Sequence, residues 1–160
     1  LKNVYKKDFS DFVNESDQKF DVIALYDVLE HMPDPLSTIK NIKKVINKNG
    51  LLTFYVPNAD SFIINTLDSS STQWVWQPFH LSYFNKSSLS YLLNQEGFSE
   101  VYYDTVGMDI FDIANYLKQS KQIKSVTLDP EQMWQAQKAI QSTIDNLGIG
   151  SILRYFCRMK

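Results

Sequence analysis

The strongest constraint on the fold is the order of signals between residues 20 and 58. In Phe20-Asp21-Val22-Ile23-Ala24-Leu25-Tyr26, residues 22–25 are apolar without alternation, the pattern of a strand covered on both faces. Asp34 followed by Pro35 is a helix start, an N-cap with proline in the first helical position. Leu36, Ile39, Ile42 and Ile46 then recur at helical spacing and give the helix one apolar face. Gly50 is expected to end the helical region, and residues 51–56 to form a second buried strand stopped by Pro57-Asn58. Strand, helix and strand with tight connections make the unit of a parallel α/β sheet. Its right-handed crossover puts the carboxyl ends of both strands on one edge.

The flanking segments fit such a sheet. Residues 4–7 are expected as a short strand ending near Asp8. Residues 58–77 include the low-complexity tract Ser69-Ser70-Ser71-Thr72, and so long a connection suggests a lid or substrate loop. Asn85 is placed to cap a helix with apolar positions Leu89, Leu92 and Leu93, closed by Gly97; residues 98–103 read as a strand and 109–119 as a helix. Asp129, Pro130 and Gln132 open a further helix, whose apolar positions Met133, Ala136, Ile140, Ile144 and Leu147 are expected to dock on the sheet. After Gly148 and Gly150, residues 152–159 read as a last strand. No internal repeat or second domain is visible, so residues 1–160 read as one domain.

Composition removes several function classes. A formal net charge of −2 with interspersed signs argues against a nucleic-acid backbone as partner, because phosphate binding leaves a basic patch. No run is apolar enough to span a bilayer, no signal peptide is evident, and the single Cys157 has no internal disulfide partner. A reducing, cytoplasmic setting is the expectation. Two histidines and one cysteine without ligand spacing offer no metal site. The chain opens Leu1-Lys2-Asn3 without methionine, as expected of a processed chain or a piece of a longer one.

The stretch from Phe20 to Pro35 contains Phe20-Asp21-Val22 and then Leu29-Glu30-His31-Met32-Pro33. It resembles the fourth strand and following loop of class I, Rossmann-like S-adenosylmethionine-dependent methyltransferases, in the branch of the ubiquinone-biosynthesis O-methyltransferases. Asn49-Gly50-Leu51-Leu52 looks like the turn and fifth strand, although Lys48-Asn49-Gly50 stands where the family has Pro-Gly-Gly. His80-Leu81-Ser82-Tyr83-Phe84 is similar to the family's His-Leu-x-x-Phe segment, and Glu96-Gly97-Phe98 to its Ala-Gly-Phe. The resemblance implies an α/β fold carrying strands 3 or 4 through 7 of a sheet ordered 3-2-1-4-5-7-6, with flanking helices. S-adenosylmethionine is the cofactor it implies, and S-adenosylhomocysteine the product.

Ligands of open α/β sheets bind beyond the carboxyl ends of strands. By resemblance, Tyr26 and Asp27 line the adenosine and methionine part of the cofactor site. Asp8, with Phe9 beside it, matches the acidic residue that receives the adenine amine, although Asp11 competes for that place. Two roles are open to His31, a base on a substrate hydroxyl or a brace for its loop. His80 is the second catalytic candidate. Trp74, Trp76, Phe79 and Tyr83 around it form either an acceptor pocket or plain core. Glu30 is equally suited to bracing the loop, capping the helix or touching substrate.

The family's glycine-rich first loop and ribose-binding acid have no counterpart, since the five glycines include no Gly-x-Gly-x-Gly. The expectation is therefore the carboxyl-terminal portion of a methyltransferase domain. Residues 22–25 would then be an apolar edge strand, paired in a homodimer or covered by residues 4–7. In the intact protein, methyl transfer to a small-molecule acceptor is expected, with weak or no turnover by this chain alone. The alternatives are a non-catalytic methyltransferase-like interaction module and another α/β nucleotide-binding enzyme.

Overall fold

The computed structural model describes residues 4–67, 78–119 and 130–160. Four strands, β1 (Phe20–Tyr26), β2 (Ile46–Pro57), β3 (Phe98–Val106) and β4 (Ile152–Met159), form one sheet in the order β1-β2-β4-β3. β1 and β2 are parallel, with Ile23 opposite Leu52 and Leu25 opposite Phe54. β4 runs antiparallel to β2 and β3. This is the expected partial Rossmann-like sheet, in the neighbour order 4-5-7-6. A 3-10 turn (Leu29–His31) and α2 (Pro35–Val45) make the crossover from β1 to β2. Asp34 starts α2 by accepting the Ser37 N–H at 2.9 Å, and the helix buries Ile39, Ile42 and Val45.

α2 is shorter than the apolar spacing suggests. Ile46 already pairs with Phe20 in the sheet, so the residue with the right helical phase belongs to the strand. The entry to β2 is irregular, with Asn49 at φ 63°. Gly50 does not stop a helix; a Cβ there would lie 2.6 Å from Ile46 Cγ1 and 2.8 Å from the Asn47 carbonyl, so the glycine permits close chain approach.

Residues 4–7 do not form a strand. They lead into α1 (Phe9–Glu15), capped by Asp8, whose carboxylate accepts from the Ser10 N–H at 2.9 Å and hydroxyl at 2.7 Å. An N-cap aspartate satisfies orphan helix donors, and this local chemistry overrides the short apolar pattern before it. The sheet accordingly begins at the position of the fourth strand.

One face of the sheet carries the core: Leu25, Leu52, Phe54, Val56, Leu153, Tyr155 and Cys157 pack with Ile39 and Ile42 of α2 and with Leu89 and Leu93 of α4 (Lys86–Gln95). Burying each large apolar side chain contributes roughly 1.5–3 kcal/mol. α4 begins in a capping box, the Asn85 side chain accepting from the Ser88 N–H and the Ser88 hydroxyl from the Asn85 N–H. The opposite face is open at β1, where Val22 is 58% and Tyr26 59% exposed. The expectation of cover on both faces therefore fails for alternate residues of β1.

Beyond β2, the expected loop contains α3 (Phe62–Thr66). Its residues 68–77, including Trp74 and Trp76, lie outside the described residues. β3 reaches Val106, past the expected end at 103, and is followed by α5 (Asp109–Gln119) and α6 (Pro130–Asn146). α6 docks through Gln141 and Ile144, while Ile140 is 50% exposed and Leu147, beyond the helix, 68%. Its last turns are tied to β3 and α5 by the bonds from Thr105 Oγ1 to the Asp145 carbonyl and from Gln141 Nε2 to Asp109; with Ala136, Ile140 and Leu147 exposed, much of the apolar stripe does not seat on the sheet as expected, and the Met133 side chain lies outside the described residues.

Candidate functional site

The carboxyl edge of β1 and β2 gathers the polar side chains that the core excludes. Asp27, directly after β1, has φ 52°, a left-handed conformation that aspartate tolerates better than most residues. Its N–H donates to the Tyr55 carbonyl at 2.9 Å, which pins the reversal to β2. The chain then enters the 3-10 turn, where Leu29 is fully buried as an anchor. Glu30, beside it, is 1% exposed, and neither carboxylate oxygen has a hydrogen-bond partner. Burial pushes the Glu30 carboxyl above its ordinary range, and Asp27 adds to the rise; its own backbone N–H and the neighbouring His31 and His80 rings act in the opposite sense.

Two histidines meet over this carboxylate. His31 donates from Nδ1 to the Phe79 carbonyl at 2.8 Å. That bond sets the tautomer and leaves the Nε2 lone pair on the side of Glu30, 4.0 Å from Oε1. The His80 ring lies 4.8 Å from the His31 ring, centroid to centroid, at 61°. The N–H groups of Leu81 and Ser82 both donate to the Glu30 carbonyl, at 2.8 and 3.1 Å. The segment carrying His80 is thereby fastened to the turn carrying His31. Tyr83 stands 6.1 Å from His80 between ring centroids; its hydroxyl is buried without a partner, and burial raises its pKa.

One ligand atom from each of Glu30, His31 and His80 lies within 4.8 Å of the others. Two imidazoles and a carboxylate suit a divalent transition-metal ion. In the sequence this grouping has no ligand spacing, because the fold alone brings His80 to the turn.

Tyr26 and Asp27 line an open concavity of about 540 Å³ together with Thr53, Tyr55, Arg154 and Phe156. The Tyr26 ring meets the Tyr55 ring edge-on at 6.1 Å. Arg154 is held by Asp104, with Nε donating to Oδ1 at 2.8 Å and Nη2 to the second oxygen. Asp8 and Phe9 are placed elsewhere. Phe9 lines a second concavity, about 420 Å³, with Tyr5, Phe12, Phe20, Val22 and Val45. Asp8 is committed to capping α1, and the Ser10 hydroxyl and N–H hold its carboxyl below the usual range.

The structure thus groups Tyr26 with Asp27, and His31 with His80, Phe79 and Tyr83. Phe79 contributes through its backbone carbonyl, while its side chain is 55% exposed. Glu30 is the residue whose weight the sequence understates. The available signal was its place between a buried leucine and a histidine in a very short turn.

A second polar cluster ties the same edge together. The Asn58 N–H donates to the Ser151 carbonyl at 2.8 Å and its Nδ2 to the Gly150 carbonyl at 2.9 Å. Asp109 is fully buried and accepts from Gln141 Nε2 at 2.8 Å and the Ser151 N–H at 3.1 Å.

Comparison with known proteins agrees with this architecture. A ubiquinone biosynthesis O-methyltransferase of Histophilus somni is 46% identical over 41 residues, 26% of this chain and 17% of that protein. A SAM-dependent methyltransferase of Archaeoglobus fulgidus superimposes with a TM-score of 0.58 at 18% identity, over 98% of this chain and 67% of that one. One from Thermotoga maritima gives 0.57 at 13% identity, over 92% and 61%. The matched stretch is thus a small part of the curated relative, and the chain spans about two thirds of the solved structures it resembles. A family profile described as a methyltransferase domain matches residues 1–103, and the chain belongs to that family.

Proposed function

We propose that this domain takes part in methyl transfer from S-adenosylmethionine to a small-molecule acceptor, across the carboxyl edge of β1 and β2, in a cytoplasmic setting. Tyr26 and Asp27 form the cofactor side, and Glu30, His31 and His80 the acceptor side. Asp8 and Phe9 remain candidates for the adenine end. The carrying observation is the bond from His31 Nδ1 to the Phe79 carbonyl, which leaves Nε2 as a base beside a buried carboxylate. The sulfonium is already a strong electrophile, so the protein's tasks are alignment and removal of the acceptor proton. S-adenosylmethionine, when bound, would supply the activated methyl group, and His31 Nε2 would take the proton of an acceptor hydroxyl placed near it. Glu30 stabilises the imidazolium formed.

The unpartnered Glu30 oxygens beside two imidazoles favour a second reading. A divalent cation held by Glu30, His31 and His80 would lower the pKa of the acceptor hydroxyl. The two readings separate in a methyl-transfer assay with and without a chelator. Retained activity supports the imidazole base, and loss restored by added cation supports the metal.

The test of the site itself is His31→Asn. Removing a general base costs about 10²–10⁴-fold in turnover, while binding of S-adenosylhomocysteine stays unchanged in calorimetry. Asp27→Ala has the opposite profile, weakening that binding. The assay uses the intact protein, and equal turnover by its His31→Asn form and its unsubstituted form would remove the acceptor-side assignment.

A further inference from the structure

We propose that the groove between the β3–α5 connection and one face of α6 is a second small-molecule site, built for an organic ammonium ion carried on an apolar body. The inference stands apart from the methyl-transfer reading. Gly107 and Met108, directly after β3, form one wall. The other wall is a single face of α6, where Trp134, Lys138, Gln141 and Asp145 recur every three or four residues. The space between the walls is about 330 Å³, within the range of small-molecule pockets. β3 lies three positions from β1 in the sheet, which at the usual strand spacing puts the groove roughly 14 Å or more from the end of β1. A ligand there is not the group that reacts beside His31.

The floor of the groove is rich in acceptors. Gln141 is 8% exposed, and its Nε2 donates to Asp109 Oδ2 at 2.8 Å and to Asp145 Oδ1 at 3.0 Å. One neutral amide thus spends both hydrogens bridging two carboxylates and brings a positive charge to neither. Asp109 Oδ1, behind this bridge, is buried without a partner. Burial holds the Asp145 carboxyl above its ordinary range; the Gln141 bond acts in the opposite sense, and Asp109 and Asp104 add to the rise. Arg154, the nearby guanidinium, is committed to Asp104. A cation brought to this floor offsets the repulsion between the two acids.

The walls choose among cations. Met108 and Trp134 both border the groove and are more than half exposed. An indole attracts an ammonium through its ring face, and a thioether packs adaptably against hydrocarbon. Asp145 between them supplies the charge-assisted hydrogen bond that an N–H donor seeks. A bare divalent metal ion would need a shell of oxygen ligands, which a wall of tryptophan and methionine does not give. Lys138 is the cation among the described lining residues, and it is exposed at the rim. It opposes a positive ligand from the solvent side, so its removal tightens binding.

The probes are 2-phenylethylammonium and its neutral counterpart 2-phenylethanol, titrated into the 160-residue chain while backbone amide resonances are followed by NMR. The expected result is saturable shifts at Gly107, Met108 and Gln141 with 2-phenylethylammonium at a Kd of about 1 mM or tighter, and binding of 2-phenylethanol weaker by about tenfold or more. Trp134→Ala weakens the ammonium by about 2- to 30-fold, and Lys138→Ala tightens it by about 2- to 5-fold. Asp145→Asn, whose amide oxygen still accepts from Gln141, weakens it by about tenfold or more. Trp134 and Lys138 are exposed, so their replacement leaves the fold standing, which circular dichroism verifies for all three variants. No shifts at these amides up to about 20 mM, equal binding of the neutral probe, or an affinity that neither Trp134→Ala nor Asp145→Asn changes overturns the proposal. Shifts confined to Tyr26, Asp27 and His31 would place the ammonium at the other site and overturn it as well. The methyl-transfer reading is tested separately, at His31.

Discussion

Replacing Gly107 by alanine strikes the packing behind the candidate site at its tightest point. A Cβ at this position would lie 2.3 Å from Ser151 Oγ, 2.4 Å from Asp109 Oδ2 and 2.9 Å from the Ser151 nitrogen. Relief requires the Asp109 carboxylate to move away from the two donors it holds, Gln141 Nε2 and the Ser151 N–H. Overpacking of this kind costs about 1–3 kcal/mol, and a lost hydrogen bond to a buried charge about 1.5–3 kcal/mol. The two together come to about 4 kcal/mol, a fall in Tm of roughly 8–16 °C for a chain of this size.

The control is Gly148→Ala. Gly148 has φ 76° and nothing within 4 Å of its would-be Cβ, so it tests backbone conformation without a clash. Its cost is about 1.5 kcal/mol, roughly 3–6 °C. A third variant isolates the contact. Ser151 Oγ is buried without a partner, so Ser151→Ala alone is nearly neutral, and in the Gly107→Ala background it removes the nearest clashing atom and recovers part of the loss. Differential scanning calorimetry on the unsubstituted chain and all four variants reads the cycle and its control. If Gly107→Ala melts within roughly 2 °C of the unsubstituted chain, or above Gly148→Ala, the close-contact reasoning is wrong.

Two further outcomes follow from the core. Phe54→Ala removes a fully buried ring from the centre of the packed face and should cost about 3–5 kcal/mol, read as a shift of the urea midpoint; a change below about 1 kcal/mol would place the core elsewhere. Burial pushes the Cys157 thiol from 9.0 up to about 12. This raised value favours the folded state fully below pH 9 and progressively less as pH climbs toward 12. Native protein at pH 8 should therefore resist iodoacetamide and react at once in denaturant, and rapid native alkylation would contradict the burial.

The sheet was legible in the sequence because its signals are dense and local. Continuous apolar runs marked β1 and β2, Asp34-Pro35 marked the start of α2, and Asn85 the capped start of α4. Failures came where two local rules compete. Ile46 has the phase of a helix but the register of a strand, and at Asp8 capping chemistry outweighs the apolar residues before it. α6 misled for another reason, since its apolar spacing reports a stripe without reporting what lies opposite. In the site, Tyr26 and Asp27 were placed by strand ends. The association of His80 with Glu30 and His31 depends on a long-range closure that no spacing encodes. The part played by Phe79 belongs to a backbone oxygen, which carries no residue signature at all.

That backbone oxygen couples two placements. The Phe79 carbonyl accepts from His31 Nδ1, and the same strip of chain, through the Leu81 and Ser82 N–H groups, is latched to the Glu30 carbonyl. The orientation of the His31 ring and the position of His80 are therefore set by one run of backbone, and a substitution that displaces residues 79–82 disturbs both imidazoles together.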